Sequence, residues 1–536
     1  MKDLFAIIGA IVLFFQGTLP VSSAEPRFTE PRQLDSGPVI GEMHEGIESF
    51  KGIPYAASPV GALRWKPPQP VKAWSHPMLA TVYGPSCPQG LSRNGPLEPH
   101  NATDFCGPVG SLSEDCLFLN VWAPPRAASA RRPVFFWIHG GGFQVGSGAQ
   151  PLFDGRSLAA KGAVVVTFNY RLAEFGFLAH PALTAESPVK SSGNYGLLDM
   201  VAALQWVSKN IAAFGGDPSN VTLMGQSAGG TAVLALLVSP LSKGLFHRAI
   251  VQSGVMPEQV RFLKASAGPL KSMEQVGEEF ADRLGVRGAG AAAAMREKST
   301  QEILDAHQKQ SGLGGGSLAS LVVDGQFLPE QPEQVFAAGR QLSVPLLIGN
   351  VAEEGTLFQK MAEVDNPQKL REAIRETAGE GAAAVEDFYP AKNSAEAKAA
   401  YIRMQTDLML SISRRHARWM AAVQARTYRF LFQRKPRWTA QRGLGCFHSL
   451  DLAYVFGSFY PGLAYDAADR KLAGKIQDYW LQFARTGDPN HAGAALWPAY
   501  EAGKEQVLVL DVSLTVEKNP RQAACDLWDQ KMRLPE

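Results

Sequence analysis

Cysteine is scarce in this chain, five residues among 536, and none falls in a CxxC or Cys/His spacing. That argues against a metal site, which needs paired ligands a few residues apart. Excess charge of one sign is missing too: 52 Lys and Arg face 50 Asp and Glu, a formal net charge of +2. Without a Lys/Arg-rich run or an aromatic-interleaved basic stripe, nothing speaks for nucleic acid as a partner. There is one long apolar run, Leu4 to Phe15, shorter than the roughly 20 residues of a membrane helix. It follows Lys2 and precedes Ser22 and Ala24 at cleavage-site spacing, so residues 1–24 read as a secretory signal peptide and the mature chain begins at Glu25. The expectation is an exported protein, secreted or periplasmic, with no stable membrane span after cleavage. Disulfides are then permitted, and an odd cysteine count leaves at least one unpaired in a monomer. Asn101-Ala-Thr and Asn220-Val-Thr match the glycosylation sequon. No internal repeat is present.

What remains is a chain able to fill a large core, 46% hydrophobic and 19% charged. Strand-like runs ("PVFFWI", "AVVVTF", "VTLMG", "AIVQ", "VPLLIG", "TYRFLF") alternate with helix-like ones, which predicts an α/β fold with a mostly parallel sheet flanked by helices. We read residues 25–536 as a single domain. Helical insertions at about 263–320, holding "GAGAAAA" and "SGLGGGS", and at about 356–425 cover the C-terminal edge of the sheet, where such folds place ligands. "GGDPSN" reads as the break between a helix and the next strand.

In "VTLMGQSAGGTAVLALLV" a short strand, a glycine-rich turn and a helix meet at Ser227. Small residues on both sides let the backbone bend tightly and let a substrate approach, as a turn carrying a nucleophile requires. A serine hydroxyl needs a base to take its proton. Upstream, "HGGGF" (His139 to Phe143) follows a strand, where a glycine loop can aim N–H groups at a developing oxyanion. For the acid, Glu353 and Glu354 are adjacent, and residue physics alone does not say which points inward. His139, His247 and His416 are other histidines that could serve as base, but none sits after the acid on a loop between strand-like runs.

With these residues in place the chain resembles the type-B carboxylesterase family, the α/β-hydrolases that include carboxylesterases and cholinesterases. "GIPYAASPVGALRWKPPQP", "SEDCLFLNVWAP", "NYRLAEFGFLA", "NYGLLDMVAALQWVSKNIAAFGGDPSNVTLMGQSAGG", "VDGQFLPEQP", "EEGTLF", "HSLDLAYVFG" and "FARTGDPN" match family landmarks in order, from about Lys51 to Asn490. The resemblance implies the α/β-hydrolase fold and hydrolysis of carboxylic esters through an acyl-enzyme. It carries over Ser227 as nucleophile, Glu354 as acid, His448 as base, and Gly141, Gly142 and Ala228 as oxyanion-hole donors. It implies a Cys87–Cys116 disulfide and buried ion pairs of Arg64 with Glu114 and Arg171 with Asp199. It implies a small-molecule ester substrate and no metal or organic cofactor. A specialised esterase, lipase or thioesterase would use the same triad, and a binding protein would keep the fold without the chemistry.

The chain departs from the family at several places, Met200 in place of the usual glutamine after "GLLD" among them. Gln226 and Asp451 stand where many members have glutamate, so one formal negative charge is lost. No tryptophan lies between Cys87 and Cys116, which argues against a choline ester. Asp451 is too near His448 in sequence to orient it and reads as an outer support. Cys446, two residues before His448, reads as a small buried side chain. The pairing of Cys106, Cys446 and Cys525, and the oligomeric state, are left open.

Overall fold

A computed structural model describes residues 27–90, 106–127, 131–268, 270–288, 290–308, 320–460 and 462–531. The signal peptide, the Asn101 sequon and "SGLGGGS" lie outside them. A twelve-stranded sheet organises the chain: β1 (Arg27–Phe28), β2 (Glu42–His44), β3 (Ile47–Pro54), β4 (Phe118–Ala123), β5 (Arg132–Ile138), β6 (Val164–Phe168), β7 (Gly216–Gln226), β8 (Arg248–Gln252), β9 (Leu346–Val351), β10 (Thr427–Phe432), β11 (Gln506–Leu510) and β12 (Thr515–Lys518). Their spatial order is β1-β2-β3-β4-β6-β5-β7-β8-β9-β10-β11-β12. The seven strands from β6 to β11 in that order run parallel, and the pairings at both ends are antiparallel.

The near-continuous apolar runs of β5, β6, β9 and β10 are buried along almost their whole length, as a parallel sheet covered on both faces demands. Alternate residues feed two cores. Phe136, Val166, Leu223, Val251 and Ile348 pack with α1 (Tyr195–Asn210) and α2 (Ala228–Val238). On the opposite face Trp137, Val165, Met224, Ile250 and Leu347 pack with Tyr479, Trp480 and Phe483 of the helix Ala467–Thr486.

One group of helices, α3 (Met273–Arg283), α4 (Ala291–Arg296) and α5 (Thr300–Gln308), shares a cluster around Phe175, Phe280, Met295 and Ile303. A second, α6 (Gly355–Ala362), α7 (Pro367–Ala378), α8 (Ala382–Phe388) and α9 (Ser394–Val423), surrounds Leu370, Val385, Tyr401 and Met404. Among the described residues no helix is long and apolar enough to cross a membrane.

"GGDPSN" behaves differently from its local signal. Gly215 ends the preceding helical turn at φ 78°, but β7 starts at once at Gly216, which pairs with Arg132, and the register shifts between Gly216 and Val221. The turn residues become an irregular strand start because the neighbouring strand offers partners.

Candidate active site

Ser227 sits between the end of β7 and the start of α2, with φ 55° and ψ −125°. For a residue with a Cβ this backbone is costly, and the packing around it explains why it persists. A Cβ on Gly225 would lie 2.3 Å from the Gly229 carbonyl oxygen, and one on Gly229 would lie 2.0 Å from that of Ile138. Glycine at both positions lets strand, turn and helix close on each other, and the serine at the apex takes up the bend. The Ser227 N–H donates to the Gln252 carbonyl of β8 at 2.9 Å, and its own carbonyl accepts from Thr231 N at 2.9 Å.

Glu354 follows the end of β9 and is fully buried. Its Oε1 accepts from Val351 N (3.0 Å) and Asn350 Nδ2 (3.1 Å), which leaves Oε2 for the His448 Nδ1–H at 2.5 Å. With Nδ1 as donor to a carboxylate, neutral His448 presents a lone pair at Nε2. The group facing that nitrogen is the Gln226 carboxamide, whose Nε2 lies 3.0 Å away. Gln226 directly precedes Ser227, so Glu354, His448 and Ser227 converge on one end of the parallel strands. The Phe358 ring of α6 packs 5.1 Å from the imidazole.

Glu353 turns the other way. Its Oε2 accepts from Cys446 N and its Oε1 from Lys435 Nζ, both at 2.7 Å, and its own N–H donates to the Cys446 carbonyl at 3.1 Å. It ties the loop bearing His448 to the end of β9. Cys446 is buried, its thiol donates to the Phe432 carbonyl at 3.1 Å, and burial pushes that thiol well up. This setting disfavours the ionised form of Cys446. Cys106 and Cys525 also carry free thiols.

The glycine loop after β5 takes left-handed backbone at Gly141 (φ 107°) and Gly142 (φ 63°). Gln144 N and Val145 N donate back to the Gly141 carbonyl, each at 3.0 Å, which fixes the turn. Among the described residues no main-chain acceptor takes up the N–H of Gly141 or Gly142. His139 holds the loop from behind: its Nδ1–H donates to the Gly140 carbonyl at 2.8 Å, and its ring stacks 4.4 Å from Tyr170, whose hydroxyl donates to the His139 carbonyl. Burial pushes His139 down to about 4, so it stays neutral. His247 Nδ1 accepts from the main chain of β7 at Val221, and His416 is buried in α9 with its Nδ1–H on Ile412 O. These partners lie away from Glu354 and His448.

Asp451 lies behind His448 and is also buried. Gln252 Nε2 donates to its Oδ2 at 2.5 Å, while among the described residues its Oδ1 and Gln252 Oε1 meet no donor. Burial first, then the Glu354 charge, pushes Asp451 up to about 6. Gln252 thus bridges Asp451 and, through its carbonyl, the serine turn; only the strand "AIVQ" marked it in the sequence.

Farther out, Cys87 and Cys116 are joined by a disulfide. Arg171 grips Asp199 with Nε (2.8 Å) and Nη2 (2.7 Å), and Arg64 grips Glu114 with Nε (2.7 Å) and Nη2 (2.5 Å), all four side chains buried or nearly so.

Known proteins resemble this chain over most of its length. The model of the carboxylesterase family matches residues 30–528. The chain is 38% identical over 503 residues to a para-nitrobenzyl esterase of Bacillus subtilis (strain 168), covering 90% of this chain and 95% of that protein. It is 36% identical over 487 residues to a fumonisin B1 esterase of Sphingopyxis macrogoltabida, covering 88% and 84%. A solved PNB esterase superposes with a TM-score of 0.79 at 34% identity, over 94% of this chain and all of that one.

Proposed function

The chain belongs to the carboxylesterase family, and from that premise we propose that Ser227, His448 and Glu354 carry its chemistry on small-molecule esters. The enzyme is a serine hydrolase of carboxylic esters with the α/β-hydrolase fold. His448 Nε2 takes the Ser227 hydroxyl proton as Oγ attacks the ester carbonyl carbon. The negative charge that develops on the carbonyl oxygen is received by the N–H groups of Gly141, Gly142 and Ala228. His448 then gives its proton to the departing alcohol, leaving an acyl group on Ser227. A water, deprotonated by the same nitrogen, releases the acid and restores the hydroxyl. Glu354 keeps the proton on Nδ1 and stabilises the imidazolium.

The observation that carries the reading is the fully buried Glu354–His448 contact, which aims the other ring nitrogen toward the turn that holds Ser227. We further infer export of a single-domain mature chain, 25–536. The Cys87–Cys116 disulfide supports this, since such bonds persist in oxidising compartments.

Burst-phase kinetics with p-nitrophenyl esters of increasing acyl length, beside Ser227→Ala, test the assignment. The variant should lose turnover on the order of a million-fold, and a variant that turns over normally refutes it. A preference for short acyl chains would mark a small acyl pocket.

A further inference from the structure

We infer that Gln89 is a positioning residue for the glycine loop after β5, its carboxamide clamping Gly146 at the end of that loop to the disulfide-bonded segment at Cys87. The inference rests on the reading of Gly141 and Gly142 as oxyanion donors. Gln89 is 2% exposed. Its Oε1 accepts from Gly146 N at 2.8 Å, and its Nε2 donates to the Gly146 carbonyl at 2.9 Å and to the Cys87 carbonyl at 3.0 Å. Each amide hydrogen and the oxygen is used once, and the opposite orientation of the carboxamide would set N–H against N–H and oxygen against two carbonyls. Gln89 thus pairs with both main-chain groups of Gly146 as a neighbouring strand would, but from a side chain two residues beyond Cys87, whose sulfur is bonded to Cys116.

What Gly146 holds in turn is the loop itself. A Cβ on Gly146, at φ 116°, would lie 2.5 Å from His139 Nδ1 and 2.9 Å from the Gly140 carbonyl oxygen, so the end of the loop rests directly on its beginning. A Cβ on Gly141 would lie 2.0 Å from the Val145 carbonyl oxygen, which sets the residue before Gly146 against the donor position. Gln144 N and Val145 N close the turn on the Gly141 carbonyl, and Ala173 N holds the Phe143 carbonyl at 2.8 Å. Those ties run main chain to main chain; the tie at Gly146 comes from a side chain and joins the loop to a distant segment. Asn169 repeats the connection one step on, its Oδ1 accepting from Gly148 N at 2.9 Å and its Nδ2 donating to the Pro85 carbonyl at 3.0 Å. Loss of Gln89 leaves the buried N–H and carbonyl of Gly146 to find other partners, which the loop can do only by moving. Donors to an oxyanion act at the place the oxygen takes in the transition state, so a shift of about 1 Å or less is expensive. None of the bonds of Gln89 involves Glu354 or His448, so the clamp acts on the donors and leaves the base alone.

Gln89→Met keeps the length of the side chain and removes its hydrogen bonds. With p-nitrophenyl acetate it should lower kcat roughly 10- to 100-fold with KM within about threefold. An alkyl trifluoromethyl ketone, whose adduct with Ser227 carries the oxyanion, should lose affinity by the same factor as kcat/KM. The acid limb of the pH profile should stay within about 0.3 unit, since the base is untouched. A side chain that merely stabilised the fold would lower the melting temperature and leave kcat and the inhibitor unchanged well below it. Wild-type kcat, an inhibitor affinity that does not follow kcat/KM, or a displaced acid limb overturns the inference. Gln89→Glu keeps the test standing if the Met variant does not fold: it retains the acceptor for Gly146 N, sets a carboxylate against the two carbonyls, and is held to the same outcomes. Ser227→Ala and the inhibitor on the wild type separate the two levels. Turnover retained in Ser227→Ala, or a wild type that the ketone does not inhibit, defeats the proposed function itself, whereas both as expected with wild-type kinetics in Gln89→Met defeats this inference alone.

Discussion

Replacing Asp451 by Asn should stabilise the enzyme above pH 6 and do progressively less as the pH falls. Asp451 is buried with one acceptor bond, from Gln252, and a second oxygen that meets no donor among the described residues. Its carboxyl is pushed up to about 6 from the ordinary 3.8, first by burial and then by Glu354. Between the unfolded value and about 6 the native state holds a proton that the unfolded chain has released. Native stability therefore falls as pH rises through that window, and the deficit is complete above it. Two pH units at about 1.4 kcal/mol each give a deficit of about 3 kcal/mol at pH 8. Asparagine never ionises, keeps an acceptor for Gln252 Nε2, and adds an N–H where acceptors already outnumber donors. With an unfolding entropy of about 2 cal/mol/K per residue over roughly 500 residues, 3 kcal/mol corresponds to a Tm increase of about 3 °C at pH 8 and about 1 °C at pH 4.5. Scanning calorimetry at one fixed rate, which keeps irreversible unfolding comparable between samples, reads both numbers. A Tm difference that is the same at the two pH values, or negative at pH 8, refutes the reasoning.

Two other structural features carry predictions of their own. Glu353 ties the His448 loop to β9 through Cys446 N and Lys435; Glu353→Ala should lower kcat roughly 10-fold or more with KM within about twofold, because under the proposed mechanism small misplacements of His448 are expensive. Glu353→Gln keeps an acceptor for Cys446 N and should recover most of that loss in steady-state assays; an Ala variant with wild-type kcat would show that the clamp is idle. The Cys87–Cys116 bond closes a 29-residue separation, so the double Ser variant should lose about 3–4 kcal/mol by loop entropy, seen as a Tm drop of about 3–4 °C. An unchanged Tm would mean that the surrounding packing already fixes this loop.

How far the sequence could be read depended on the range of the forces at each position. The turn at Ser227 is a local object: the apolar strand before it, the glycines that allow close approach and the alanine-rich helix after it lie within one stretch of chain, so pattern alone located it. The choice between Glu353 and Glu354 is not local. Neighbouring residues at a strand end point in different directions, and which one faces the base is settled by the pairing of β9 with a loop more than ninety residues later, where Cys446 N claims Glu353 and His448 claims Glu354. "GGDPSN" went the same way: strong turn chemistry yielded to strand partners offered by Arg132. Gln226 could be seen as a change of charge but not as the partner of Nε2, because that contact spans β7 and the His448 loop. Reading a site from residues thus succeeds where one segment builds the geometry. It falls short where two distant segments divide a pair of side chains between them, and the contacts of His448, with Gln226 at Nε2 and Glu354 at Nδ1, belong wholly to that second kind.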